Sequence, residues 1–92
     1  MSIVIRSDEV NVLVYKYLQE SNLTHTAFTF YNEAALADSI TRYRYDLRAG
    51  HLLSLLEKAL IFFQIESHTT ISEYEECRED IHLLKPHICS IV

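Results

Sequence analysis

The chain of 92 residues contains one Gly, one Pro and no Trp. Tight turns between β-strands depend on Gly and Pro, so their scarcity argues against an all-β fold and favours long helices. A single glycine, Gly50, also cannot make a glycine-rich phosphate loop. Basic residues are few as well, with eight Lys and Arg against thirteen Asp and Glu. Residues 1–46 and 47–92 are both net acidic, which argues against a nucleic-acid-binding surface.

Cysteine is scarce too, and Cys77 and Cys89 are too few for a disulfide framework, so we predict free thiols in a reducing compartment. With His82 and His87 they form a C-x4-H-x4-H-x-C cluster, which lacks the close ligand pairs of zinc fingers. We therefore predict buried cysteines, exposed histidines and no metal site. The spacings of the Ser, His and acidic residues match no known catalytic grouping. We therefore predict no catalytic residues, no cofactor and no enzymatic activity.

Apolar residues make up 49% of the chain, and near the N-terminus they recur with a helical period. Ser7 is a suitable N-cap, and a helix is predicted over 8–21. Asn22 suits a left-handed position after the helix, where Leu23 would make the closing apolar contact. The predicted apolar face of this helix consists of Val10, Leu13, Val14, Tyr17 and Leu18.

A second helix is predicted to follow Thr24 as its N-cap. Its apolar stripe consists of Ala27, Phe30, Tyr31 and Ala34. Phe28, Ala35 and Leu36 lie outside that stripe, so this helix is apolar nearly all round. A helix of this kind must be covered on more than one side.

Residues 38–48 alternate Tyr or Leu with Arg or Asp, which predicts an extended connector packed through its tyrosines. Interleaved Arg and Tyr also stack on single-stranded nucleic acid, but the run is short and the chain acidic. A long helix is predicted over 49–66, interrupted by enough polar residues that it does not span a bilayer. Ser72 to Glu75 reads as a capping box, and a C-terminal helix is predicted over 72–85, ended by Pro86.

The long helix has more apolar surface than one neighbouring hairpin can cover. It is either central in a bundle or an interface between subunits, and we favour the interface because fewer than a hundred residues are present to wrap it. Its candidate tetramer or partner groove consists of Leu52, Leu55, Leu56, Ala59, Leu60, Phe62 and Phe63.

Residues 7–33 carry a specific sequence pattern, with SDEVN at 7–11, YLQES at 17–21 and TAFTF at 26–30. This pattern resembles the LisH motif, a two-helix hairpin that dimerises into a four-helix bundle. The YLQES and TAFTF segments are similar to the N-terminal sequence of the transducin β-like corepressor subunits and their yeast relatives. Residues 49–66 resemble that family's long third helix more loosely. Asn22 stands where the motif usually has Gly, and the family's WD-repeat propeller is absent from these residues, so we expect a fragment or a single domain.

The resemblance implies that residues 1–92 form one all-α oligomerisation domain in the nucleus, tetramerising as a dimer of dimers. It implies a corepressor scaffold that holds helical segments of SMRT/NCoR-type proteins in a histone deacetylase complex, with no nucleic acid or membrane partner. The hairpin dimer interface implied by the resemblance consists of Val10, Leu13, Val14, Tyr17, Leu18, Leu23, Ala27, Phe28 and Phe30. Each of these residues is otherwise interpreted as intrachain core.

A LisH module of a centrosomal, microtubule-associated or ubiquitin-ligase subunit is the alternative function. A propeller encoded downstream would favour the corepressor. A small enzyme or metal protein is the third hypothesis, which a zinc assay addresses.

Overall fold

The computed structural model describes residues 1–44, 47–68 and 79–87. Within these ranges the chain forms helices and no strand, which confirms the predicted all-α fold. The helices are α1 (Ser7–Glu20), α2 (Thr24–Glu33), α3 (Ala37–Tyr43) and α4 (His51–His68). The chain divides into two compact units, Met1–Leu53 and Ser54–Val92. No helix in the described ranges combines the length and the apolar character that crossing a membrane requires.

The first turn of α1 differs from its prediction. Ser7 is the first helical residue, and the N-cap is Arg6, whose backbone is extended and whose side chain makes no capping hydrogen bond. The prediction that Ser7 caps the helix was therefore wrong. Asp8 takes over part of this role, because its Oδ1 accepts a hydrogen bond from the Glu9 N–H at 2.9 Å. Asp8 and Glu9 also place negative charge at the helix N-terminus, where the helix dipole favours it.

The end of α1 confirms the prediction for Asn22, which adopts a φ of 63°. The Asn22 N–H donates to the carbonyl of Gln19 at 3.0 Å, and the Leu23 N–H donates to that of Leu18 at 2.9 Å. These two bonds define the Schellman motif, which satisfies carbonyls left without partners at a helix end. Asparagine fits here because its short polar side chain tolerates the left-handed region.

The end of α2 repeats this geometry at Ala35, whose φ is 51°. The Ala35 N–H donates to the carbonyl of Asn32 at 3.2 Å, and the Leu36 N–H donates to that of Tyr31 at 3.1 Å. A β-carbon in the left-handed region costs about 1–2 kcal/mol, so the surrounding packing must hold Ala35 there. Leu36, only 1% exposed, supplies that packing directly after the turn.

Helix α2 begins at Thr24 itself, with Leu23 as N-cap and no side-chain capping bond. The prediction of Thr24 as N-cap was wrong by one residue. The backbone bond from the Ala27 N–H to the Leu23 carbonyl, at 2.8 Å, closes the first turn instead. The predicted stripe of α2 is covered, since Ala27 is buried and Phe30, Tyr31 and Ala34 are half-buried.

The extended connector predicted over 38–48 is wrong for its first half, which forms α3. The Ile40 N–H donates to the carbonyl of Leu36 at 2.8 Å, and Asp38 lies in the first turn. The alternation that suggested an extended chain begins only at Tyr43, where α3 ends. The preceding residues carry no strand pattern, and a buried Leu36 anchors their first turn.

The long helix runs two residues later than predicted, over His51–His68 instead of 49–66. Gly50 has a φ of 67°, outside the right-handed helical region, so the helix begins after it. The Gly50 N–H donates to Glu20 Oε2 at 2.8 Å, which ties this turn to the C-terminal end of α1.

The predicted C-terminal helix over 72–85 does not form over its described part, since residues 79–85 contain no helix. The rest of that range lies outside the described residues. Pro86 disfavours the helical conformation at the residue before it. A ring nitrogen of His87, Nδ1, lies 3.3 Å from the carbonyl oxygen of Asp80 and folds the segment back on itself.

The core of the first unit lies where α1 packs against α2 and α3. Its buried apolar side chains are Val12, Ala27 and Leu36, each at most 3% exposed. One residue comes from each of α1 and α2, and the third from the turn before α3. A core of this size leaves most apolar side chains of the unit outside it.

An ionic cluster joins the start of α1 to the end of α3. Asp8 Oδ2 accepts hydrogen bonds from Arg42 Nη1 at 3.1 Å and from Tyr43 Oη at 3.0 Å. Desolvation raises the pKa of Asp8, but the hydrogen bonds from Tyr43 and the Glu9 backbone and the charge of Arg6 outweigh it. The pKa of this carboxyl therefore lies below its ordinary value.

The left-handed turn predicts opposite effects for two substitutions of Asn22. Asn22→Gly should change the free energy of unfolding by less than about 1 kcal/mol, because glycine adopts positive φ freely. Asn22→Val should be clearly destabilising, because a β-branched side chain clashes at positive φ. Thermal unfolding followed by circular dichroism measures both. Asn11→Val, inside α1, is the control, and equal melting temperatures for Asn22→Val and the parent would contradict the turn.

The ionic cluster predicts that Asp8→Asn lowers the melting temperature at pH 7. Because the pKa of Asp8 is lower in the folded chain than the value of about 3.9 in an unfolded one, the carboxylate stabilises the fold above about pH 4. That contribution is lost as the pH falls further, so the gap between variant and parent should shrink below pH 4. Glu9→Gln removes the same charge from an exposed neighbour and should have the smaller effect. A gap independent of pH would contradict this assignment.

Candidate functional site

One face of helix α1 packs within the chain, and the opposite face carries the predicted apolar stripe. The face that packs within the chain contains Asp8, Val12 and Tyr15, and Val12 is only 2% exposed. Val10 and Val14 lie two residues on either side of Val12, and two residues turn a helix by about 200°. The predicted apolar stripe of α1 therefore points away from the chain's own core.

The nine predicted interface residues differ in how far the chain covers them. Phe28 is the most accessible, at 71% exposed, and Ala27 the least, at 3%. The burial of Ala27 fits the alternative interpretation of these residues as intrachain core. The exposed members are Val10, Tyr17, Leu23 and Phe28, and the half-buried ones are Leu13, Val14, Leu18 and Phe30.

A groove of about 510 Å³ lies between α1 and α2, next to the exposed Phe28. Its wall includes Tyr15 and Tyr31, whose ring centroids are 5.4 Å apart. Gln19 Nε2 donates to Tyr15 Oη at 3.0 Å and holds that ring in place. The groove thus offers aromatic surface with amide and hydroxyl groups at its edge.

Helix α4 carries a second accessible apolar surface. Three of its seven predicted groove residues are half-buried and repeat every four residues: Leu52, Leu56 and Leu60. The other four are exposed: Leu55, Ala59, Phe62 and Phe63. The rings of Phe62 and Phe63 meet edge to face with centroids 6.3 Å apart. Three further exposed residues were not predicted as part of the groove: Leu53, Ile61 and Ile65.

The two described histidines of the predicted cluster, His82 and His87, have different surroundings. Cys77 and Cys89 lie outside the described residues, and His82 is exposed. His87 instead meets His68, the last residue of α4, which is only 5% exposed. Across residues 1–44, 47–68 and 79–87, no three His, Cys, Asp or Glu side chains converge as a metal site.

Comparison with known proteins decides what the hairpin is. The family model for the LisH motif matches residues 8–34, which cover α1, the turn at Asn22 and all of α2. The chain contains a LisH motif. The hairpin expected over 7–33 is thereby confirmed as a LisH hairpin, with Asn22 in the left-handed conformation at its turn.

Several relatives of this chain are named as WD-repeat proteins. The F-box-like/WD repeat-containing protein TBL1X of Mus musculus is 44% identical over 69 residues, which is 75% of this chain and 12% of the relative. TBL1Y of Homo sapiens is 44% identical over 62 residues, covering 67% of this chain and 12% of that protein. The WD40 repeat-containing protein HOS15 of Arabidopsis thaliana is 34% identical over 82 residues, covering 89% and 13%.

The chain spans about an eighth of the length of these relatives. The similarity lies in their N-terminal region, so the resemblance inferred from the YLQES and TAFTF segments is confirmed. No solved structure matches the chain.

Three features of the first unit were not predicted from the sequence. Val12 is the buried residue of α1, although the apolar stripe was drawn on the other face. Tyr15 and Gln19 follow it at helical spacing, and this i, i+3, i+7 pattern together with Asp8 was the available signal. The left-handed Ala35 carried no signal, because alanine is not enriched in that conformation.

Proposed function

We propose that the chain is a non-enzymatic oligomerisation and protein-interaction module of a nuclear transcriptional corepressor in a histone deacetylase complex. It self-associates through the LisH hairpin and holds helical segments of corepressor proteins of the SMRT/NCoR type. The observation that carries the proposal is the apolar stripe of α1, which lies opposite the face used by the chain's own core. The similarity to the N-terminal region of WD-repeat relatives supports the setting.

Self-association is supported by the exposed residues of the apolar stripe of α1. Val10 and Tyr17 are each 39% exposed although both belong to the apolar stripe. Fully burying an aliphatic or aromatic side chain contributes about 1.5–3 kcal/mol, so covering this stripe with a second copy stabilises the folded state. Two copies related by a two-fold axis bring the same stripe to both sides of an isologous interface.

A tetramer and a partner groove are supported by α4. Phe62 and Phe63 are 59% and 54% exposed. Pairing two LisH dimers through this helix would cover part of the surface, and a groove left between helices suits an amphipathic partner helix anchored at i, i+3 or i+4 and i+7. The net charge of −5 favours a partner segment with Lys or Arg at its rim, chiefly through the association rate.

The alternative function is a LisH module of a centrosomal, microtubule-associated or ubiquitin-ligase subunit. The F-box-like designation of TBL1X is the observation that favours the ubiquitin-ligase setting. Both settings use the same hairpin dimer. They differ in the partner, so binding to a corepressor helix separates them.

The exposed apolar stripe of α1 predicts that the chain is an oligomer in solution. Light scattering at micromolar concentration should give at least a dimer and, by the proposal, a tetramer. Val10→Ser and Tyr17→Ser should each lower the average mass, because they remove apolar area from the interface and not from the core. Gln19→Ser, on α1 but outside the stripe, is the matched control and should keep the parent mass. A monomeric parent would overturn the proposal.

The groove predicts that Phe62→Ala or Phe63→Ala weakens binding of a corepressor helix by about 2 kcal/mol, or roughly 30-fold, if the ring is a central anchor. Fluorescence anisotropy of a labelled peptide measures the affinity, after light scattering has shown an unchanged mass. Glu57→Ala, on the same helix, is the control. Parent-like binding by both variants would place the partner site elsewhere, and a lower mass would assign these rings to assembly.

A further inference from the structure

The second unit holds two histidine rings face to edge at the end of α4. His68 Nε2 lies 3.2 Å from His87 Nε2, and the rings are almost perpendicular, at 86°. His68 is buried, with 5% exposure, and His87 is half-buried. The LisH match ends at residue 34, so neither histidine belongs to the hairpin.

The other nitrogen of each ring identifies the tautomer. His68 Nδ1 lies 2.6 Å from the Gln64 carbonyl oxygen, and His87 Nδ1 lies 3.3 Å from that of Asp80. A carbonyl oxygen only accepts hydrogen bonds, so each Nδ1 carries the proton and donates. In two neutral rings each Nε2 atom then carries a lone pair, and the two Nε2 atoms lie 3.2 Å apart.

We propose that His68 and His87 bind one Zn²⁺ ion through their Nε2 atoms. Zinc bonds to imidazole nitrogen at about 2.0–2.1 Å, and a tetrahedral angle places two such nitrogens about 3.3–3.4 Å apart. The observed 3.2 Å is close to this spacing. Nδ1–H donation to a backbone carbonyl is the usual outer-shell arrangement of a zinc-bound histidine, and it orients both rings here.

Residues 47–92 contain seven acidic and four basic side chains, so this half of the chain is net acidic. The described residues supply two protein ligands, which leaves the other coordination positions to water. A double variant of Cys77 and Cys89 tests whether a thiol adds to them.

The experiment uses the whole 92-residue chain, stripped of metal by a chelator and titrated with Zn²⁺ in a calorimeter. We expect one ion per chain. In nitrogen-15 spectra of the histidine rings, Zn²⁺ should shift the Nε2 signals of His68 and His87 and leave both Nδ1 signals protonated. This readout needs no substitution, so it stands even where a variant of the buried His68 loses helix.

Variants then identify the ligands. His68→Gln and His87→Gln should each weaken Zn²⁺ binding at least tenfold, whereas His82→Gln, an exposed histidine of the same segment, should not. If a Cys77→Ser/Cys89→Ser double variant also binds more weakly, the thiols add to the histidine site.

Three results would overturn the proposal: no stoichiometric binding, binding insensitive to His68 and His87, or ring signals that respond to pH but not to Zn²⁺. The last would mean that the two rings share a proton instead. None of these results bears on the LisH assembly, which is read from the native mass.

Discussion

The first unit depends on two residues held in the left-handed conformation, Asn22 and Ala35. Each ends a helix with the same pair of backbone bonds, and together they bring α2 and α3 onto one face of α1. The residue after the second turn, Leu36, becomes the most deeply buried side chain of the core. The buried contacts of Val12 and Ala27 therefore follow from the turns, because without the reversals no helix would lie over the inner face of α1.

The same geometry explains why apolar surface remains. Once α2 and α3 share one face of α1, the stripe on the other face is only partly covered. Leu13, Val14 and Leu18 are half-buried, and Val10 and Tyr17 stay exposed. The inner face is only partly apolar, since it begins with Asp8 and its bonds to Arg42 and Tyr43. Intrachain folding thus uses a mixed face closed by an ionic cluster, and the more regular apolar face is left for a second copy in the proposed assembly.

Helical period and turn chemistry predicted much of this from the sequence. The existence of α1, α2 and α4 follows from apolar spacing, and the left-handed Asn22 follows from the conformations that asparagine tolerates. The inward face of α1 could not be predicted, because periodicity finds an apolar stripe without saying whether it packs on the same chain or another. The helix α3 was missed because the alternation near Tyr43 resembles a strand. The helix predicted over 72–85 rested on a capping signal and on Pro86 as its end, and these signals mark the ends of a helix without stabilising its interior.

In each unit a polar side chain finds its partner in a distant part of the chain. Asp8 meets Arg42 and Tyr43 more than thirty residues later, and His68 meets His87 nineteen residues later. Charged and polar side chains are costly to bury without partners, so pairs of this kind select one arrangement among several that bury similar apolar area. In the first unit these bonds join the start of α1 to the end of α3. In the second unit the pair aligns two ring nitrogens at a spacing that suits a tetrahedral metal ion. The proposed hairpin dimer and the proposed metal site thus lie in separate units, so each can be tested without the other.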